Sequence, residues 1–139
     1  MTKSHIQVPC SKLSLAIIRE FVLARLKALG VTGKVAQQIV LAADEACANC
    51  IIHQHKCDIF SSIELSIYRK SDTVYLEIKD TGKAFPIDTY TPQKLEDIVR
   101  KRKKGGLGIM LIKRLMDEVK VEEHPGYFIY RLGKHISMA

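Results

Sequence analysis

Two alternating stretches joined by a short polar turn constrain this chain most. Ile63, Leu65 and Ile67 alternate with polar residues, Ser71-Asp72 interrupts, and Val74, Leu76 and Ile78 alternate again. A period of two sends successive side chains to opposite sides, so the pattern predicts a hairpin with one apolar face. That face needs a cover, and the flanking sequence supplies it. After Ser11, an N-cap residue type, Leu13, Ile17, Ile18, Phe21, Val22, Leu26 and Leu29 recur at helical spacing until Gly30. Thr32 or Gly33 then opens a second helix, from about Lys34 to His53. A third follows the glycines near 105, with Ile109, Ile112, Leu115, Met116 and Val119 on its apolar side.

The remaining pieces extend the sheet. A short extended segment lies around Ile6–Pro9, and Val119–Val121 with Tyr127–Leu132 reads as a second hairpin about Pro125-Gly126. A polar segment containing Pro86 and Pro92 separates the two halves, with a weak helix near Leu95–Val99. Helices plus hairpins predict an α/β (α+β) fold. The expected form is a two-layer sandwich, a mixed, mainly antiparallel sheet covered by about three helices. No Pro/Gly/Ser linker or repeat interrupts the 139 residues, so residues 1–139 are expected to form one domain.

Charge and cysteine usage narrow the function classes. The formal charge is +7, from 22 Lys and Arg against 15 Asp and Glu. Such an excess attracts polyanions: nucleic acid, nucleotide phosphates or an acidic protein. Part of it is the run Arg100, Lys101, Arg102, Lys103 and Lys104, but no aromatics alternate with that run. A base-stacking surface is therefore not supported, and direct nucleic-acid binding is not expected. No apolar run opens the chain, and the uncharged stretch near Cys47 is short for a bilayer, so no membrane partner is expected and the location expected is cytoplasmic. Cys47, Cys50 and Cys57 fall among His53 and His55, which invites a metal reading. At about 100° per residue, however, Cys47 and Cys50 share a side with Ala36, Ile39 and Ala43. Free cysteine behaves as a small buried hydrophobe, so they are expected in the core and not on zinc.

Three motifs carry chemistry. Glu45 and Asn49, four apart on the second helix, lie about 40° from each other on one face. A carboxylate and a carboxamide so placed suit a hard cation such as magnesium, and the carboxylate can accept a proton from an attacking hydroxyl. The plain alternative is a polar face meeting solvent. Asp80-Thr81-Gly82 follows a strand directly. Such an aspartate can accept from an exocyclic amine while Gly82 admits a flat ring; the plain alternative is an ordinary turn. Gly105-Gly106-Leu107-Gly108 opens the third helix just after Lys103 and Lys104. Backbone N–H groups at a helix start favour phosphate, and here the alternative is a flexible loop entering a helix. No Walker A loop and no HRD or DFG signature occurs.

In that order, a helical E-x-x-x-N, a strand-end D-x-G and a Gly-rich helix start resemble the N, G1 and G2 boxes of GHKL ATPases. The resemblance spans roughly Ile6 to Leu132. Asp44-Glu45-Ala46 running to Asn49 and His53, and Gly105 to Ile109 continuing to Leu115-Met116-Asp117-Glu118-Val119, look like the anti-sigma-factor serine/threonine-protein kinases. The resemblance implies ATP and Mg2+ as cofactors. It implies Asn49 as magnesium ligand, Glu45 as general base toward a protein serine, and Asp80 on the adenine amine with Gly82 beneath the ring. Gly105, Gly106, Leu107 and Gly108 would form the phosphate loop, with Lys103 or Lys104 reaching the outer phosphates. It further implies a homodimer that holds a sigma factor or phosphorylates an anti-sigma-factor antagonist. Ala84 stands before Phe85 where that family usually has another glycine. The alternative function is a non-catalytic ATP-binding module that holds a protein partner.

Overall fold

The computed structural model describes residues 3–80 and 106–136. Strand β1 (Ser4–Pro9) leads into helices α1 (Leu13–Ala28) and α2 (Gly33–Ala48). The chain continues from α2 as a π-helical turn, Asn49–Gln54. Then come β2 (Ser62–Lys70), β3 (Thr73–Asp80), helix α3 (Gly106–Leu115), β4 (Glu118–His124) and β5 (Tyr127–His135). The five strands form one sheet in the order β1-β2-β3-β5-β4. Every pairing among the described residues is antiparallel, which meets the expected sandwich at its antiparallel limit.

The expected hairpin is present, with Lys70 paired to Thr73 and Ser71-Asp72 between them. Its apolar face is the one sequence alternation requires: Ile63, Leu65, Ile67, Val74, Leu76 and Ile78 are all buried. Phe128, Tyr130 and Leu132 of β5 extend that layer, and Ile18, Val22, Leu26, Ile39, Ala43 and Ile112 close over it from the helices. The second hairpin turns at Pro125-Gly126, where Gly126 takes a φ of 84° that suits the third position of a turn opened by proline.

Helix ends follow local chemistry. The Ser11 hydroxyl accepts from the Leu13 N–H at 3.3 Å, so it satisfies a first-turn donor although the regular helix starts two residues later. At the other end Gly30 adopts a φ of 81°. The Gly30 N–H donates to the Lys27 carbonyl at 3.1 Å and the Val31 N–H to the Leu26 carbonyl at 2.9 Å, the paired bonds of a Schellman cap. Arg69 of β2 donates to the Leu29 carbonyl at 2.9 Å, tying that helix end to the sheet.

Helix α2 differs from expectation in its last turn. Sequence periodicity extends it to His53, but the geometry changes from α to π at Asn49. The stretch Gly33–Ile52 has the length of a membrane span, and 18 consecutive residues within it reach a mean hydropathy of 1.2. Its apolar stripe is spent inside the fold, where Ala36, Ile39, Ala43, Cys47, Cys50 and Ile51 are buried. Cys47 and Cys50 are core residues, as their helical spacing predicts. The weak helix expected near Leu95–Val99 lies outside the described residues.

The outer face of the sheet is polar. The Tyr68 hydroxyl donates to Glu77 at 2.6 Å, Arg131 donates to Glu77 at 2.9 Å and also pairs with Glu122, and Tyr75 donates to Glu118 at 3.1 Å. One sheet face therefore makes the core and the other a paired polar surface.

Candidate nucleotide site

Strand parity decides where Asp80 goes. It shares the face of Val74, Leu76 and Ile78, so at the end of β3 its carboxylate points between the sheet and the helices. It is 1% exposed. A carboxylate is almost never buried without partners, because desolvation opposes its charge. One such partner comes from His55, the residue that ends the π-helical turn. The His55 imidazole meets Asp80 Oδ1 through Nε2. Burial pushes the pKa of the Cys50 thiol well up, and the nearby Asp80 charge adds to the shift.

Asn49 precedes Cys50 and is 2% exposed. Its Nδ2 has no hydrogen-bond partner among the described residues. An unsatisfied buried amide opposes folding by about 1–3 kcal/mol, so its presence calls for a reason beyond packing. This excludes the plain alternative of a solvated polar face for Asn49. Glu45, one turn earlier on α2, is half-buried. The donor set fits a nucleotide with its cation: a carboxamide oxygen for a hard cation, amide hydrogens for phosphate or water oxygens, and a carboxylate for an exocyclic amine.

The described part of the glycine motif opens a helix. Gly106 is the first residue of α3, with Leu107 and Gly108 in its first turn, and α3 packs against α2. Helix α2 thus lies beside both the buried aspartate and the helix that opens on the glycines. Gly82, Lys103, Lys104 and Gly105 lie outside the described residues.

In the sequence His55 falls among the cysteines, with nothing that connects it to Asp80. The two are 25 apart in sequence and meet only because α2 ends over β3. The only signal available was a titratable ring just past the E-x-x-x-N helix. Among the described residues no group of three or more His, Cys, Asp or Glu is arranged to hold a metal ion.

The comparisons with known proteins agree with this geometry. The family model of the histidine kinase-like ATPase domain matches residues 8–139. The serine-protein kinase RsbW of Bacillus subtilis is 29% identical over 129 residues, covering 88% of this chain and 79% of the relative. An anti-sigma F factor of Geobacillus kaustophilus is 27% identical over 135 residues, covering 96% and 92%. In fold, the chain is similar to a crystal structure of the RsbU and RsbW domains of a Mycobacterium tuberculosis protein. The TM-score there is 0.71 at 16% identity, over 100% of this chain and 34% of the other. The SiaB–SiaC complex from Pseudomonas aeruginosa gives a TM-score of 0.65 at 16% identity, over 96% and 89%. The family match spans nearly the whole chain and includes Glu45, Asn49 and Asp80. This chain belongs to the histidine kinase-like ATPase domain family.

Proposed function

We propose that this protein is an ATP-dependent serine protein kinase acting as an anti-sigma factor, which phosphorylates an anti-sigma-factor antagonist in a partner-switching system. The observation that carries the reading is the pair of buried polar groups at one end of the fold, Asn49 with an unpartnered amide nitrogen and Asp80. Relatives named serine-protein kinase and anti-sigma factor support the reaction class.

In this reading Asp80 accepts the adenine amine, with Gly82 beneath the ring. Asn49 would hold Mg2+, which would supply positive charge to neutralise the phosphates. The N–H groups of Gly105, Gly106, Leu107 and Gly108 cradle the phosphates at the start of α3, and Lys103 or Lys104 meets the outer ones. Glu45 orients the acceptor serine hydroxyl and takes its proton. The protein works as one domain, in the cytoplasm, as a homodimer, and exchanges a sigma factor for the antagonist.

The test is affinity capture from native lysate with and without ATP, followed by phosphosite mapping. A partner whose capture depends on ATP and which gains phosphate on serine is the expected result. An ATP-sensitive partner that gains none would replace the kinase with a non-catalytic ATP-binding module.

A further inference from the structure

We infer that His55 is a positioning residue for adenine recognition: its ring fixes the plane of the Asp80 carboxylate, and base selectivity depends on that bond. The inference rests on the reading of Asp80 given above. It adds a residue that none of the three motifs contains.

The contact is built and enclosed. His55 Nε2 meets Asp80 Oδ1 with the two side chains only 11% and 0% exposed. A carboxylate only accepts, so Nε2 carries the proton and donates. An ionised carboxylate offers about four lone-pair positions, so one bond from His55 leaves it able to accept from an adenine amine. What the bond removes is rotation about the Cβ–Cγ axis, a broad torsion that packing alone holds poorly.

The backbone around His55 is constrained in the same sense. The His55 N–H donates to the Cys50 carbonyl at 3.0 Å, and its own carbonyl accepts from the Asp58 N–H at 3.0 Å. The next two residues, Lys56 and Cys57, take φ values of 51° and 60°, a left-handed conformation disfavoured for non-glycine residues. The Cys57 N–H reaches back to the Ile51 carbonyl at 2.8 Å. The chain therefore leaves the helix by an abrupt, strained turn directly after His55, and that turn holds the imidazole over the end of β3. Strain of this kind persists where the surrounding structure holds it, and it clusters at ligand sites.

The experiment compares binding of ATP with binding of purine riboside triphosphate, which lacks the 6-amino group, by calorimetry on the full chain. The variants are Asp80→Asn, His55→Gln, which keeps a donor at similar reach, and His55→Met, which keeps bulk without a donor. The expected ATP preference of the wild type collapses in Asp80→Asn. It falls on the order of three- to tenfold in His55→Met, the loss of one ordinary hydrogen bond's ordering, and stays within about twofold in His55→Gln. His55→Ala repeats the test should the methionine disturb folding.

A merely structural role would weaken both nucleotides equally and leave their ratio unchanged in His55→Met. That result, with Asp80→Asn still collapsing the ratio, overturns the His55 inference alone. An unchanged ratio in a folded Asp80→Asn protein overturns the adenine reading beneath it.

Discussion

Asn49→Ala tests whether Asn49 is kept for function or for stability. Truncating a fully buried aliphatic side chain such as Ile51 costs about 2–5 kcal/mol, from lost transfer energy plus the cavity left behind. Asn49 is as deeply buried, but its Nδ2 has no partner among the described residues. Removing the carboxamide opens a void worth roughly 1 kcal/mol and relieves an unsatisfied group worth about 1–3 kcal/mol. The net expectation for the apoprotein runs from no change to a gain of about 2 kcal/mol. Ligand linkage then gives the opposite sign. At a hundredfold excess over its Kd, Mg-ATP stabilises the wild type by about 2.7 kcal/mol, roughly 10 °C in melting temperature for a chain of this size. Asn49→Ala should lose most of that rise. Thermal melts of wild type, Asn49→Ala and Ile51→Ala, each with and without Mg-ATP, read both quantities. An apoprotein loss above about 2 kcal/mol, or a full Mg-ATP shift in Asn49→Ala, refutes the reasoning.

Three further outcomes follow from other parts of the molecule. Cys10, Cys47 and Cys50 are buried, with Cys10 pushed up to about 11 by burial and then by Asp80 and Asp58, whereas Cys57 is half-buried. At pH 8 a thiol reagent should therefore modify Cys57 quickly and the other three only on unfolding; a second fast thiol would contradict the core placement. Gly133→Ala would set a Cβ 2.9 Å from Glu118 Oε2 and 3.0 Å from a Tyr75 ring carbon. The glutamate tip can swing aside but the ring cannot, so urea melts should show a loss of about 1–2 kcal/mol, and no loss would mean the outer face is loosely packed. Replacing both Lys103 and Lys104 with Ala should weaken ATP more than ADP by calorimetry, because in the proposed site these ammonium groups meet the outer phosphate; equal weakening would return them to the solvated surface.

The fold was largely legible because its signals are local. Alternation at Ile63–Ile67 and Val74–Ile78 fixes which side of β2 and β3 is buried, and helical spacing through Ile18, Val22 and Leu26 and along α2 marks the covering faces, although Leu13 and Ile17 of the same apolar series are exposed. Gly30 and Pro125-Gly126 mark ends that depend only on backbone conformation. Parity also puts Asp80 inward, since it continues the register of Ile78. The π-helical turn at Asn49–Gln54 was not legible, because hydrophobic spacing continues across it and only the backbone hydrogen bonds change. The burial of Asn49 was hidden for a related reason. An E-x-x-x-N pair reads as a polar stripe, and only the docking of the helix end onto β3 turns that stripe inward. The His55–Asp80 contact joins residues with no local relation, so no periodicity could report it.

The central claim, that this ATPase domain transfers phosphate to a protein serine, is tested most directly through Glu45. Glu45→Gln keeps size and much of the hydrogen bonding while removing the proposed base, a role worth typically 10²–10⁴ in rate. The measurement is transfer of labelled γ-phosphate to the ATP-sensitive partner, with nucleotide affinity measured alongside on the same preparations. The account predicts wild-type transfer to serine and, in Glu45→Gln, retained ATP affinity with transfer lowered by at least about a hundredfold. Transfer at the wild-type rate in Glu45→Gln, or none by the wild type to a partner whose capture ATP controls, would contradict it.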